Sequence, residues 1–303
     1  MPESAPAPAP AIHPVRIGTQ SDILWESPIW SEQEQALYWI DIRLPALRRL
    51  HLASARVDTW ALPELVGSIA FTTDARLLVA LADSLSLFDG ETGALEPIAT
   101  LPRRIEGHRF NDGRCDRQGR FWVGTMHNLT RAPEGVLYRF DAGQRRLHEV
   151  ASGICIPNSL AWSPDGSTMY FADSLQYTIY AHDYDAASGT MGARRVFART
   201  EPPAFPDGSA VDAQGFLWNA EFNGGRVVRY APDGSIDRVI ALPVPRPTCC
   251  TFGGPDLDVL YITTASQQMT AAERLALPLA GALLRLDAGV RGLPEPRCAL
   301  HRL

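Results

Sequence analysis

The sequence predicts an all-β chain folded as a six-bladed β-propeller of four-stranded antiparallel blades. Three observations carry that expectation. A turn followed by a short β-rich run recurs six times, each copy is followed by a second short apolar strand, and no helical period competes outside MTAAERLAL, residues 269–277. The recurring runs are SEQEQALYWI from Ser31, TTDARLLVAL from Thr72, DRQGRFWVGT from Asp116, SPDGSTMYFA from Ser163, DAQGFLWNAE from Asp212 and GPDLDVLYIT from Gly254. Their starts lie 41, 44, 47, 49 and 42 residues apart. Turn formers followed by aromatic and β-branched residues mark strand–turn–strand units. The second strands are ALRRLHL from Ala46, LSLFDG from Leu85, VLYRFD from Val136, TIYAHDYD from Thr178, VVRYAPDG from Val227 and ALLRLD from Ala282. A period of about 40–50 residues with roughly four strands is one propeller blade. A β-sandwich would place turn signals every ~8–12 residues without this longer period.

Composition narrows the class. The 303 residues are 46% hydrophobic and 20% charged, enough for a large core. The Pro- and Ala-rich start, MPESAPAPAP, has neither a basic nor an apolar signal region. Residues 1–14 are therefore expected to be a disordered tail, and 15–303 a single propeller domain. The net charge is −6 with no basic cluster, which argues against nucleic acid as a partner. No apolar run approaches the roughly 20 residues that span a bilayer. Five cysteines without a C-x-x-C do not make a disulfide framework, and a reducing cytoplasm is expected. Nothing in the chain implies an obligate protein partner.

The repeat also assigns a phase. Five residues before each turn stand Glu26, Gly67, Asn111, Asn158, Asp207 and Cys249. The strand leading into this turn is the innermost of its blade, so these positions ring the axis at one height. Four of them carry side-chain oxygens. Facing carboxylates repel unless a proton or cation intervenes, and a hard divalent cation takes carboxylate and amide oxygens. The same four residues could instead bond one another and channel water; spacing leaves both readings open. Cys249 and Cys250 read as packing at the blade 6 position of the ring.

Strand direction places the loops after the second strands on the same face. They hold Asp41 and Arg43, His127 and Asn128, Asp173 and Ser174, and Glu221 and Asn223. Residues 265–281 form the longest such segment and are expected to supply a lid with one short helix. Each of these residues taken singly reads equally as a solvated loop side chain, and a lone histidine such as His127 as a structural one. No G-x-S-x-G or H-E-x-x-H occurs, which removes the hydrolase elbow and the zincin helix.

The strings WESPIW (25–30), RFNDGRCDRQGRFWVGTM (109–126), IPNSLAWSPDG (156–166), FPDGSAVDAQGFLW (205–218) and FGGPDLDVLYITTA (252–265) carry a resemblance. Over residues 15–300 the chain resembles the senescence marker protein 30/gluconolactonase/luciferin-regenerating-enzyme-like family, which includes regucalcin and bacterial sugar lactonases. The resemblance implies one divalent metal ion held by Glu26, Asn158 and Asp207, with Asn111 beside it and Arg109 touching substrate. It implies metal-dependent hydrolysis of a sugar-acid lactone such as glucono-, galactono-, xylono- or arabinolactone, with Asp207 as general base and the metal polarising the carbonyl. Oxygen ligands suit Ca2+ first and admit Mg2+, Mn2+, Zn2+ or Fe2+.

Regucalcin-like members carry a substrate-contacting glutamate after GTM. Here His127 and Asn128 follow GTM and Leu129 stands at the glutamate's place. His127 and Asn128 are therefore the expected additional substrate contacts, as in bacterial pentono- and hexonolactonases. Three alternatives remain on sequence: a non-enzymatic calcium-binding propeller, a propeller esterase of other specificity, and a protein-interaction propeller. An aryl esterase should have a more apolar mouth than Arg109, His127, Asn128 and Asn223 suggest.

Overall fold

Each of the six repeats forms one four-stranded antiparallel sheet in a computed structural model that describes residues 12–15 and 23–300. Blade 1 comprises Trp25–Ser31, Ala36–Asp41, Ala46–His51 and Val57–Ala61 in that spatial order. The innermost strands of blades 2 to 6 are Ser68–Phe71, His108–Cys115, Pro157–Trp162, Phe205–Val211 and Pro247–Gly253. The sixth blade is completed from the other end of the chain, because Ile12–Val15 pairs antiparallel with Leu283–Asp287 as its outermost strand. The expected tail thus gives up Ile12, His13 and Pro14 to the propeller. Residues 1–11 lie outside the described residues.

The core is divided rather than central. One buried apolar cluster fills each gap between neighbouring blades, such as Trp122, Leu137, Trp162, Met169 and Tyr184 between blades 3 and 4. The turns of the repeat are clamped by their aspartates. Asp116 Oδ1 accepts from the amides of Gln118 and Arg120, and Asp212 Oδ1 from those of Gln214 and Phe216, around Gly119 and Gly215 at positive φ. Among the described residues no helix is long and apolar enough to cross a membrane.

The inner strands break register where the axial ring lies. Shifts fall between Glu26 and Ile29, Phe110 and Gly113, Asn158 and Ala161, and Pro206 and Ser209. A bulge re-aims a side chain that the pleat would otherwise fix. Side chains lock these bulges across the blade gaps. Ser27 Oγ accepts from Ile69 N (3.0 Å), Asp112 Oδ2 accepts from Leu160 N (2.9 Å), and Ser159 Oγ donates to the Asp207 carbonyl (2.6 Å).

Blade 2 contributes a glycine to the ring for a steric reason. A Cβ on Gly67 would lie 2.4 Å from the Phe110 carbonyl oxygen and 2.8 Å from the Asn111 nitrogen. Both are backbone atoms of blade 3 and have little freedom to yield. Gly67→Ala should lower stability in urea unfolding by about 3 kcal/mol. A midpoint unchanged from wild type would show that the two blades are less tightly apposed.

The other end of the channel is stoppered by the chain itself. Gly292 bridges Asp212 of blade 5 and Cys298 bridges Thr72 of blade 2, so the segment between them crosses the axis. Glu295 within it pairs with Arg114 at 3.2 Å.

Candidate functional site

Glu26, Asn111, Asn158 and Asp207 meet on one pocket at the open end of the channel, as the phase of the repeat predicts. The pocket encloses about 730 Å3 of open space. The remaining ring positions do not join them. Gly67 serves the blade 2–3 contact, and buried Cys249 packs where a Cβ on Gly208 would lie 2.2 Å from its sulfur. All five cysteines are unbonded.

A chain of hydrogen bonds fixes the two amides. Arg109 Nη1 donates to Asn111 Oδ1 (2.7 Å), and Asn111 Nδ2 donates to Asn158 Oδ1 (2.9 Å) and the Pro157 carbonyl (2.9 Å). Asn158 Nδ2 then donates to Ser174 Oγ (2.8 Å), which donates to the Pro206 carbonyl (2.7 Å). A guanidinium can only donate, so Arg109 dictates which way each amide turns. Among the described residues Asn158 Oδ1 has this one donor and keeps a second lone pair.

The carboxylates are held differently. Asp207 is buried, and its Oδ1 has no hydrogen-bond partner. Burial, then the neighbouring charges of Glu26 and Asp112, pushes its carboxyl well above the ordinary range. Burial, with Asp112 repulsion added, pushes Glu26 up to about 8, opposed by the Arg109 charge. Burial moves the Arg109 guanidinium down to about 9, with Arg43 repulsion next in weight. Two neighbouring carboxylates, one with an unpartnered oxygen, beside an oriented amide oxygen match the donor set of a hard divalent cation, so Glu26, Asn158 and Asp207 fit the expected metal. No group of three or more His, Cys, Asp or Glu side chains converges for a metal among the described residues, because the third oxygen here is an amide.

Arg109 and Asn128 also line the pocket, as expected, and are joined through Arg109 Nε to Asn128 Oδ1 at 2.9 Å. His127 does not line it. Strand alternation turns Met126 to the pocket and His127 away. Its Nδ1 accepts from the amides of Leu129 (3.2 Å) and Thr130 (3.1 Å), and its ring meets His108 edge-on at 5.4 Å. It is a turn clamp, and its side chain stands outside the pocket wall.

Three other loop carboxylates expected on this face are also occupied structurally. Asp41 accepts the amides of Ile23, Arg43 and Leu44, and Asp173 those of Cys155 and Ile156. Glu221 is buried against Arg226 and Tyr230. Of the other expected loop residues, Arg43, Ser174 and Asn223 do reach the pocket.

Sequence reasoning missed Arg131, a lining residue four positions beyond His127, and the half-buried Asp112 beneath the ring. It also missed the apolar wall of Leu24, Met126, Ile156, Leu175, Phe205 and Phe222. From the longest loop, Gln267 and Gln268 reach the pocket. The short helix expected there is present as α1 (Ala271–Ala276), closed by a Thr270–Glu273 capping box, with none of its residues buried.

Comparison with known proteins agrees with this geometry. The chain is 39% identical to a 6-deoxy-6-sulfogluconolactonase of Pseudomonas putida over 91% of its length and 95% of the relative's. It is 36% identical to an L-arabinolactonase of Azospirillum brasilense, covering 95% and 97% of the two chains. The crystal structure of a calcium-binding protein, regucalcin, from Agrobacterium tumefaciens superposes with a TM-score of 0.89 at 33% identity, over 95% of this chain and 96% of that one. The sequence profile of the SMP-30/gluconolactonase/LRE-like region matches residues 24–266. With six blades, an axial ring and this match across most of its length, the chain belongs to the SMP-30/gluconolactonase/LRE-like family.

Proposed function

We propose that the protein is a carboxylic-ester hydrolase that opens a sugar-acid lactone to the free aldonic acid with the help of one divalent cation, Ca2+ by preference. The observation that carries this is the pair of carboxylates, Glu26 and Asp207, the latter with an Oδ1 that has no hydrogen-bond partner among the described residues, on a pocket walled by amide and guanidinium donors. The sugar lactonases among its relatives support the same reading. A cytoplasmic location belongs to the proposal too, resting on the unbonded cysteines.

A cation held by Glu26, Asn158 and Asp207 would polarise the lactone carbonyl and acidify water beside it. Asp207 Oδ1, free of protein partners, takes a proton from the attacking water. The water oxygen bonds to the carbonyl carbon, the ring C–O bond breaks, and the ring oxygen leaves as a hydroxyl by taking up the proton that Asp207 accepted, which restores the carboxylate. The acid product then ionises and releases a proton to solvent. Asn128 is set to donate. Its Oδ1 is taken by Arg109 and by Arg43 (3.1 Å), which leaves Nδ2 for a sugar hydroxyl. Arg109 holds the ring amides in register while its charge favours negative charge developing on the carbonyl oxygen.

A panel of sugar lactones assayed by acid release tests this. Turnover should vanish in chelator and return with a divalent cation. Cation binding without turnover of any lactone would assign the chain to the non-enzymatic class instead.

A further inference from the structure

Three guanidinium groups line the same pocket: Arg109 from an inner strand, Arg43 from the loop after the second strand of blade 1, and Arg131 from that of blade 3. Among the described residues none of the three is ion-paired with a carboxylate, and Arg131 makes no side-chain hydrogen bond. Arg43 and Arg109 instead converge on one neutral acceptor, Asn128 Oδ1, at 3.1 and 2.9 Å. Asp41, the carboxylate closest to Arg43 in sequence, has its oxygens engaged by backbone amides. Partial burial and the Arg131 charge both act against the charge on Arg43.

The site as a whole has an excess of positive charge. Glu26 and Asp207 would be neutralised by one divalent cation. Asp112, off the pocket wall, accepts from Leu160 N and shares the single charge of Arg114 with Glu295, which leaves one negative charge beneath the ring. Against it, three guanidinium groups stand on the pocket wall of a chain whose net charge is −6. Sugar hydroxyls accept N–H bonds but leave that charge uncompensated. Gathered guanidinium groups with vacant donors are the usual receptor for planar or tetrahedral oxyanions.

We propose that Arg43 and Arg131 form a subsite for an anionic oxyacid group carried by the lactone on the part of the sugar away from the ester. This rests on the lactonase reading and narrows its substrate class to acidic sugar lactones. Arg43 and Arg131 are then specificity-determining residues. Arg43 is removed from the ring of Glu26, Asn158 and Asp207 by a hydrogen-bond path through Asn128, Arg109 and Asn111 to Asn158.

The test compares gluconolactone with counterparts bearing a carboxylate, a sulfonate or a phosphate on the terminal carbon, using the full chain with a divalent cation. At least one anionic lactone should exceed the neutral one in kcat/KM by about 10- to 100-fold, the range of charge-assisted hydrogen bonds. The leading anion identifies the group the subsite takes. The advantage should shrink with added salt, and Arg43→Gln combined with Arg131→Gln should reduce the anionic-to-neutral ratio by about tenfold or more. Equal or better turnover of the neutral lactone overturns the subsite and leaves the lactonase reading standing. So does a ratio that the double variant does not change. Absence of turnover for every lactone overturns the lactonase reading and the subsite together.

Discussion

Asp207→Asn is expected to cut kcat by about two to four orders of magnitude at saturating cation while leaving the fold as stable as wild type or more so. The two halves of this expectation come from the same atoms. As a carboxylate, Asp207 accepts protons; as an amide of nearly the same shape it does not. Its Oδ1 has no protein partner, and its environment disfavours the charge. Removing that charge therefore relieves the metal-free protein. The backbone carbonyl of Asp207, held by Ser159 and Asn219, is untouched by the change. Steady-state hydrolysis with spontaneous ring opening subtracted, alongside a thermal melt, checks both. Turnover within tenfold of wild type removes Asp207 as the base. A large loss of thermal stability without cation would mean that its carboxylate has a partner after all.

The second large effect is a coupling between protons and the cation. Glu26 has a folded-state pKa of about 8 against an ordinary value of 4.5, and Asp207 moves in the same direction. A raised carboxyl pKa means that the folded protein holds its proton more tightly than the unfolded chain. The stability contributed by the neutral form is complete below about 4.5 and is lost as pH rises through about 8. Without cation the protein should therefore become less stable across that window, by at most about 1.4 kcal/mol per pH unit per group. A divalent cation replaces those protons, so its stabilising effect should grow with pH. Cation binding should release more protons at pH 6, where Glu26 is protonated, than at pH 9, above its pKa of about 8. Calorimetry in two buffers of different ionisation enthalpy measures that release. A cation-free stability curve flat from pH 5 to 8 would contradict the proposed absence of carboxylate partners.

What was legible in the sequence depended on periodicity. Six turn-plus-strand units fix the number of blades, and counting back from each turn finds Glu26, Asn111, Asn158 and Asp207 together. That works because each inner strand must reach the axis at the same height. The loops obey no such constraint. His127 and Asn128 are adjacent, yet only Asn128 lines the pocket, since consecutive residues face opposite ways. Asp41, Asp173 and Glu221 occupy the ends of second strands, where a carboxylate is equally useful for clamping a turn or tying down neighbouring side chains. Arg131 itself sits at φ 54°, a loop conformation no short-range pattern in the sequence announces. The strand Ile12–Val15 is short, follows a Pro- and Ala-rich stretch, and acquires its role only from a partner near the other end of the chain.

The stopper across the far end of the channel has a kinetic consequence. Traffic through the pocket is confined to a single door, so occupants exchange in a fixed order. On the proposed reading, a cation at the ring would have to be seated before the sugar above it, and the sugar would have to depart before the cation could. The acid product would leave by the route its lactone entered, with a waiting lactone behind it. Such a last-in, first-out queue would make the opened acid a competitor of its own precursor and would shelter the cation from chelators for as long as the pocket is filled.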